Sequence, residues 1–238
     1  MNTMSASRAE SAQAAPTVRI LVWDVPVRVF HWLLAASFAG AYLTAESERW
    51  RLVHVTLGYT FAGLIAFRLV WGIVGTRHAR FASFVRGPAA VVRYLGALLR
   101  GRPEHHAGHN PAGALAVIAL LLLGAAVAVS GWATYNDFGP GWLEDAHEAA
   151  ANLMLALVGV HIVAVVATSW LHRENLVGAM ITGFKSGRPE QAIRARRRGV
   201  AAVLLVAVLG FWGLQWTSAP GGVAAGAGAS HVTHHDEE

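Results

Sequence analysis

HEAAANLMLALVGVH, residues 147–161, places a histidine at each end of an apolar run in which Glu148 and Asn152 are the only other strongly polar side chains. A helix turns about 100° and rises about 1.5 Å per residue. The fourteen residues from His147 therefore return His161 to nearly the same face, about 21 Å further along the axis. One helix then shows two imidazoles on one stripe, at two depths.

The composition says what surrounds that helix. Of 238 residues 55% are hydrophobic and 14% charged, with a mean hydropathy of +0.43, whereas an ordinary soluble domain carries roughly 25% charged residues. That balance is a membrane protein's. The chain has no cysteine, which excludes disulfides, thiolate metal sites, iron-sulfur clusters and thioether-linked haem. Any cofactor is held without covalent links to sulfur.

Five apolar segments follow one another: 29–45, 52–75, 112–133, 146–171 and 199–216. A helix needs about 20 residues to cross the hydrocarbon of a bilayer. The first segment is short, but Asp24 followed by Pro26 offers a cap and a first-turn proline, so the helix is expected to begin near residue 25. The expected fold is an all-α membrane protein: a four-helix transmembrane bundle with a fifth C-terminal transmembrane helix. Its parts are a loose N-terminal cytoplasmic tail over 1–24, the four-helix unit over 25–185, a basic linker over 186–198, the fifth helix over 199–217 and a flexible periplasmic tail over 218–238. Residues 1–28 have no apolar signal-peptide core, so the first helix is expected to act as an uncleaved anchor.

Basic residues set the orientation. Arg8, Arg19 and Arg28 precede helix one, six arginines lie between Arg77 and Arg102, and Arg173 to Arg198 fill the connection before helix five. The opposite loops hold only Arg49 and Arg51 among basic residues. The positive-inside rule places the N-terminus in the cytoplasm and the C-terminus, ending HVTHHDEE, in the periplasm. The formal charge of +5 and the pI near 10.4 are then topology signals, and no nucleic-acid partner is needed to explain them. In FVRGPAAVVRYLGALLRG, residues 84–101, Val91, Tyr94, Leu95 and Leu98 fall on one face of an amphipathic helix expected to lie along the membrane surface.

Most of the twelve histidines read as solvated residues. His78, His105, His106, His109 and His172 fall in cytoplasmic loops or at a helix end, and His231, His234 and His235 in the tail. His31, His54, His147 and His161 remain inside apolar segments. Depth decides their pairing: His31 meets His161 toward the cytoplasm, and His54 meets His147 toward the periplasm. Paired imidazoles across a four-helix bundle are what axial coordination of a b-type haem requires. Other uses stand beside this one. A membrane histidine can hydrogen-bond a neighbouring helix, a proton relay would want mid-depth carboxylates, and zinc would want three or four converging ligands. The tryptophans Trp23, Trp32, Trp50, Trp71, Trp132, Trp142, Trp170 and Trp216 read as an interfacial belt.

WDVPVRVFHW at 23–32, His54 in RLVHVTLGYTFAGLIAFRLVWG, GHNPAGAL at 108–115, the spacing of His147 and His161, and HRENLVGAMITG at 172–183 resemble the bacterial cytochrome b561 family, which includes the membrane b subunit of nickel-iron hydrogenases. The resemblance spans roughly residues 20–185. It implies two non-covalent, bis-histidine haem b groups on His31, His54, His147 and His161. It also implies electron transfer in the bacterial inner membrane between quinone and a redox partner, either a periplasmic c-type cytochrome or a dehydrogenase or hydrogenase. Haem propionates are anionic, which makes Arg28, Arg51 and Arg68 candidate partners; headgroup contact is the alternative for Arg28 and Arg51, and snorkelling for Arg68, fourteen residues after His54. A stand-alone quinone-coupled oxidoreductase, such as a superoxide oxidase, fits the same fold. A metal or ion transporter would want discontinuous helices or acidic midplane sites, and neither is visible in the sequence.

Overall fold

The computed structural model describes residues 18–100 and 106–218. Residues 1–17 of the expected N-terminal tail, residues 219–238 of the expected C-terminal tail, with HVTHHDEE, and His105 lie outside the described residues. In chain order the elements are β1 (Val18–Leu21), α1 (Val25–Thr44), α2 (Arg51–Val74), α3 (Phe81–Phe84), α4 (Pro88–Leu99), α5 (Pro111–Tyr135), α6 (Trp142–Leu171), α7 (Leu176–Thr182), β2 (Phe184–Gly187) and α8 (Arg198–Ser218).

The helix starts follow local chemistry. Asp24 caps α1, its Oδ1 accepting the Val27 N–H at 2.8 Å with Pro26 in the first turn. Asn110 does the same for α5, accepting from the Gly113 N–H at 2.6 Å with Pro111 beside it. Glu144 and Asp145 occupy the first turn of α6, where the helix dipole favours negative charge.

Among the described residues, four helical stretches are long and apolar enough to cross a membrane: Glu48–Val74, Pro111–Tyr135, Trp142–Leu171 and Arg198–Ser218. The expected last span is thus one of them. Helix α1 has the length, at 20 residues, but falls outside this group; Arg28 and His31 dilute its apolar character.

The long helices pack in series, α1 on α2, α2 on α5 and α5 on α6, while α8 lies against α1. Among the described residues no extensive contact joins α1 to α6, so a slot runs between them, crossed by a hydrogen bond from the Tyr42 hydroxyl to Asn152 Oδ1 at 2.7 Å. Lipid tails are as apolar as leucine, so helix association inside a bilayer rests on close packing and interhelical hydrogen bonds. Both are present. Phe61, Ile65, Leu121, Val127 and Met154 form a layer through the middle of the bundle, and Trp212 Nε1–H of α8 donates to Thr60 Oγ1 at 2.8 Å. Met154 is the one buried residue of α6, seven residues from each of its two histidines.

The basic end departs from the sequence reading. Residues 18–21, expected to be loose, pair antiparallel with 184–187, Val18 opposite Gly187 and Leu21 opposite Phe184. The stretch expected to be a linker folds back as well: the Ile193 N–H donates to the Leu21 carbonyl at 2.9 Å, and the Val25 N–H donates to that of Arg196 at 3.1 Å. Gly183 makes the turn into β2. Its φ of +89° suits glycine, and a Cβ there would come within 2.7 Å of the Trp23 carbonyl oxygen, while the Val22 and Trp23 N–H groups donate to the Gly183 carbonyl. Asp24 ties this cap to the bundle, because its Oδ2 accepts from Trp71 Nε1–H at 3.1 Å and from the Thr76 hydroxyl at 2.7 Å.

Trp23 and Trp71 are therefore buried in the cap rather than placed in an interfacial belt; the other six tryptophans of that set are exposed. Helix α4 forms as expected, but Tyr94 points into the protein while Val92 and Leu95 face outward. Of the expected apolar face, Tyr94 is buried, Val91 is half-buried and Leu95 is exposed.

Candidate haem-binding slot

Two pairs of histidines line the slot at opposite ends. At the end away from the basic loops, His54 of α2 and His147 of α6 face each other with ring centroids 6.4 Å apart and planes at 89°. Each ring is oriented by a helix carbonyl. His54 Nδ1 lies 2.8 Å from the Ala41 oxygen, and His147 Nδ1 lies 3.1 Å from the Val127 oxygen and 3.1 Å from Ser130 Oγ. A carbonyl only accepts, so Nδ1 carries the proton in both rings and Nε2 keeps its lone pair. Gly131 makes room for this arrangement: a Cβ there would meet His147 Cε1 at 2.7 Å.

At the basic end His31 of α1 and His161 of α6 are within electrostatic reach of each other. His31 Nδ1 is buried without a hydrogen-bond partner. Near both pairs the helices carry glycines with open space beside them. A Cβ added at Gly58, one turn after His54, or at Gly159, two residues before His161, would have nothing within 4 Å. Among the described residues no three of His, Asp, Glu and Cys gather as a metal-binding group; the histidines come in twos.

The three candidate arginines part company. Arg51 is exposed beside Glu48, at 3.9 Å, a surface pair of small worth. Arg28 is half-buried, with its Nε unpartnered and its Nη1 near Gly183. Arg68 does not snorkel: it is 4% exposed, donates from Nη1 to the Ala79 carbonyl at 3.0 Å and lies 4.8 Å over the Phe81 ring.

Several loop histidines expected in solvent are held in the cap. His78 Nε2 lies 2.8 Å from the Gln191 carbonyl oxygen; burial lowers its pKa from the ordinary value, the bond to Gln191 opposes that, and Arg77 and Lys185 add to the lowering. His109 packs between Trp23 and Phe84, with ring centroids at 4.7 and 4.4 Å. Burial pushes it down to about 3, and Arg68, Lys185, His78 and His161 act in the same direction. The one sequence signal was its place beside the Asn-Pro that caps α5, which hid a packed residue inside a cap motif. Lys185 is buried too, paired with Glu174 at 3.1 Å.

Two histidine pairs in a membrane-length bundle are matched by a family resemblance along the chain: the profile of prokaryotic cytochrome b561 covers residues 22–183, well over half of the sequence. The chain belongs to the prokaryotic cytochrome b561 family. It is a multi-pass membrane protein and a b-type cytochrome. Curated relatives of this cytochrome include proteins described as a probable Ni/Fe-hydrogenase B-type cytochrome subunit. That of Azotobacter vinelandii is 28% identical over 221 residues, 72% of this chain and 91% of the relative. That of Rhodobacter capsulatus is 22% identical over 237 residues, 79% and 90% respectively. The Escherichia coli K12 protein, a probable Ni/Fe-hydrogenase 1 B-type cytochrome subunit, is 23% identical over 212 residues, 69% and 90%. No solved structure matches.

Proposed function

We propose that this cytochrome holds two b haems, one between His31 and His161 and one between His54 and His147, and carries electrons between membrane quinone and a nickel-iron hydrogenase. The observation that carries the reading is the His54–His147 pair. Its 6.4 Å centroid separation leaves room for one metal ion at ordinary imidazole–metal distances of about 2 Å. Tying Nδ1 to a carbonyl is the usual outer-shell arrangement that aims Nε2 at a metal, and both rings have it. The open space beside Gly58, one turn from His54 on the same face of α2, suits a flat macrocycle lying against the helix. A haem held by two of these imidazoles would supply one-electron exchange and leave no site for dioxygen.

The chain's residues have separable tasks in this reading. The four histidines hold the iron, the Phe61–Met154 layer keeps water from the space between the two levels, and Arg28, Arg51 and Arg68 are the cations available to propionates. The hydrogenase rests on the relatives' descriptions, and quinone is the redox carrier that dissolves in the bilayer the four membrane-length helices would cross. A pyridine haemochromogen assay on the purified protein is expected to give two haems b per chain. His147→Ala is expected to halve that count and leave the second haem's spectrum in place. A chain with one haem, or a His147→Ala variant with two, sinks the reading.

A further inference from the structure

Among the described residues, the basic end contains a buried cation, Arg68, that has no ion pair. It donates to a neutral carbonyl, that of Ala79. Asp24 is the carboxylate that acts on it electrostatically. Both oxygens of Asp24 are already engaged, Oδ1 by the Val27 N–H and Oδ2 by Trp71 and Thr76. Lys185 shows the contrast, since it is similarly buried and sits 3.1 Å from Glu174. A buried charge that lacks a partner is costly, so the region around Arg68 is built to receive a negative group.

His109 lies within electrostatic reach of Arg68. An aromatic chain connects the two: Arg68 lies over Phe81, Phe81 is 5.9 Å from Phe84, and Phe84 is 4.4 Å from His109. Trp23 closes the other side of the imidazole at 4.7 Å. The ring is thus clamped, while its Nδ1 is buried without a hydrogen-bond partner. The groups that act on it electrostatically are Arg68, Lys185, His78 and His161, the last being a residue of the basic-end pair.

We propose that His109 and Arg68 together form a carboxylate-binding pair that holds a propionate of the haem placed between His31 and His161. The proposal rests on that haem assignment. Arg68 supplies the charge, and His109 Nδ1–H supplies a hydrogen bond from a ring whose orientation Trp23 and Phe84 fix. Such a bond stabilises the carboxylate and, by drawing negative charge away from the iron, favours the reduced state.

Redox titration of the full-length protein with His109→Leu and His109→Gln tests it, with His161→Ala used to identify the spectrum of the basic-end haem. Both His109 variants are expected to keep two haems. The leucine variant is expected to lower the midpoint potential of the basic-end haem alone, so that its reduced fraction at fixed ambient potential falls several-fold; the glutamine variant, which keeps a donor, retains most of the wild-type value. If leucine prevents accumulation of the protein, His109→Ser carries the same expectation, because its shorter side chain does not reach. Unmoved potentials in the leucine and serine variants, equal shifts in both haems, or glutamine behaving as leucine would overturn the proposal. A His161→Ala variant that still carries two haems overturns the haem assignment, and this proposal with it.

Discussion

The two ends of the slot are built by different means. At the end away from the basic loops, His54 and His147 are set by their own helices and the next: Ala41, Val127 and Ser130 orient the rings, and Gly131 gives His147 its space. At the basic end, the surroundings of His31 and His161 come from residues far apart in sequence, with β1 on β2, Asp24 on Trp71 and Thr76, and His109 between Trp23 and Phe84. One end is helix periodicity plus a notch. The other is a tertiary cap with buried charges.

The contrast is most open to challenge at Asp24. Alanine there leaves the Val27 N–H, the Trp71 indole N–H and the Thr76 hydroxyl without their acceptor in a buried place, and the loss is expected to reach about 3–5 kcal/mol. Thermal unfolding in detergent should show a large fall for Asp24→Ala and a smaller one for Asp24→Asn. The spectrum of the haem assigned to His54 and His147 should survive at temperatures where the variant still folds; its loss together with the cap would mean that the two ends are not separate.

Gly131→Ala is the reciprocal experiment and a smaller one. The added Cβ presses on His147, and overpacking of this kind costs about 1–3 kcal/mol. Haem stoichiometry is expected to drop toward one, with the basic-end haem retained. If the basic-end spectrum changes instead, the notch belongs to a different site.

A third, weaker effect concerns the electrostatics of the cap. Burial holds the pKa of His78 below its ordinary value, which is about 6.5 in an unfolded chain. The unfolded state therefore binds more protons in the window just below 6.5, and the stability of the cap is complete above that pH and declines as the pH falls through it. Melting temperatures at pH 7.5 and 5.5 should differ more for the wild type than for His78→Gln. Equal differences would mean that His78 is not a buried base.

The helices and the ligand candidates were legible along the chain. Apolar runs of membrane length need no tertiary information, Asp24–Pro26 marked the start of α1, and the fourteen-residue interval put His147 and His161 on one stripe. What stayed hidden lay at the basic end. Trp23, Trp71, His109 and Lys185 read as interface or solvent residues because arginines and loops lie near them in the sequence, yet all are withdrawn from solvent to different degrees in the cap.

Residue order alone was enough to mark the apolar runs, to find where α1 begins and to fix the interval along α6 between His147 and His161, because the backbone dictates helix rise and turn; of the five expected spans, four are long and apolar enough to cross a membrane among the described residues. Which groups surround those imidazoles follows from the closed fold. Residue 21 meets residue 184, and Asp24 meets Trp71 and Thr76, through contacts that no local period encodes. The environment of the basic-end pair, and with it the unpaired charge of Arg68 and the orphaned nitrogen of His109, exists only once the chain has closed on itself.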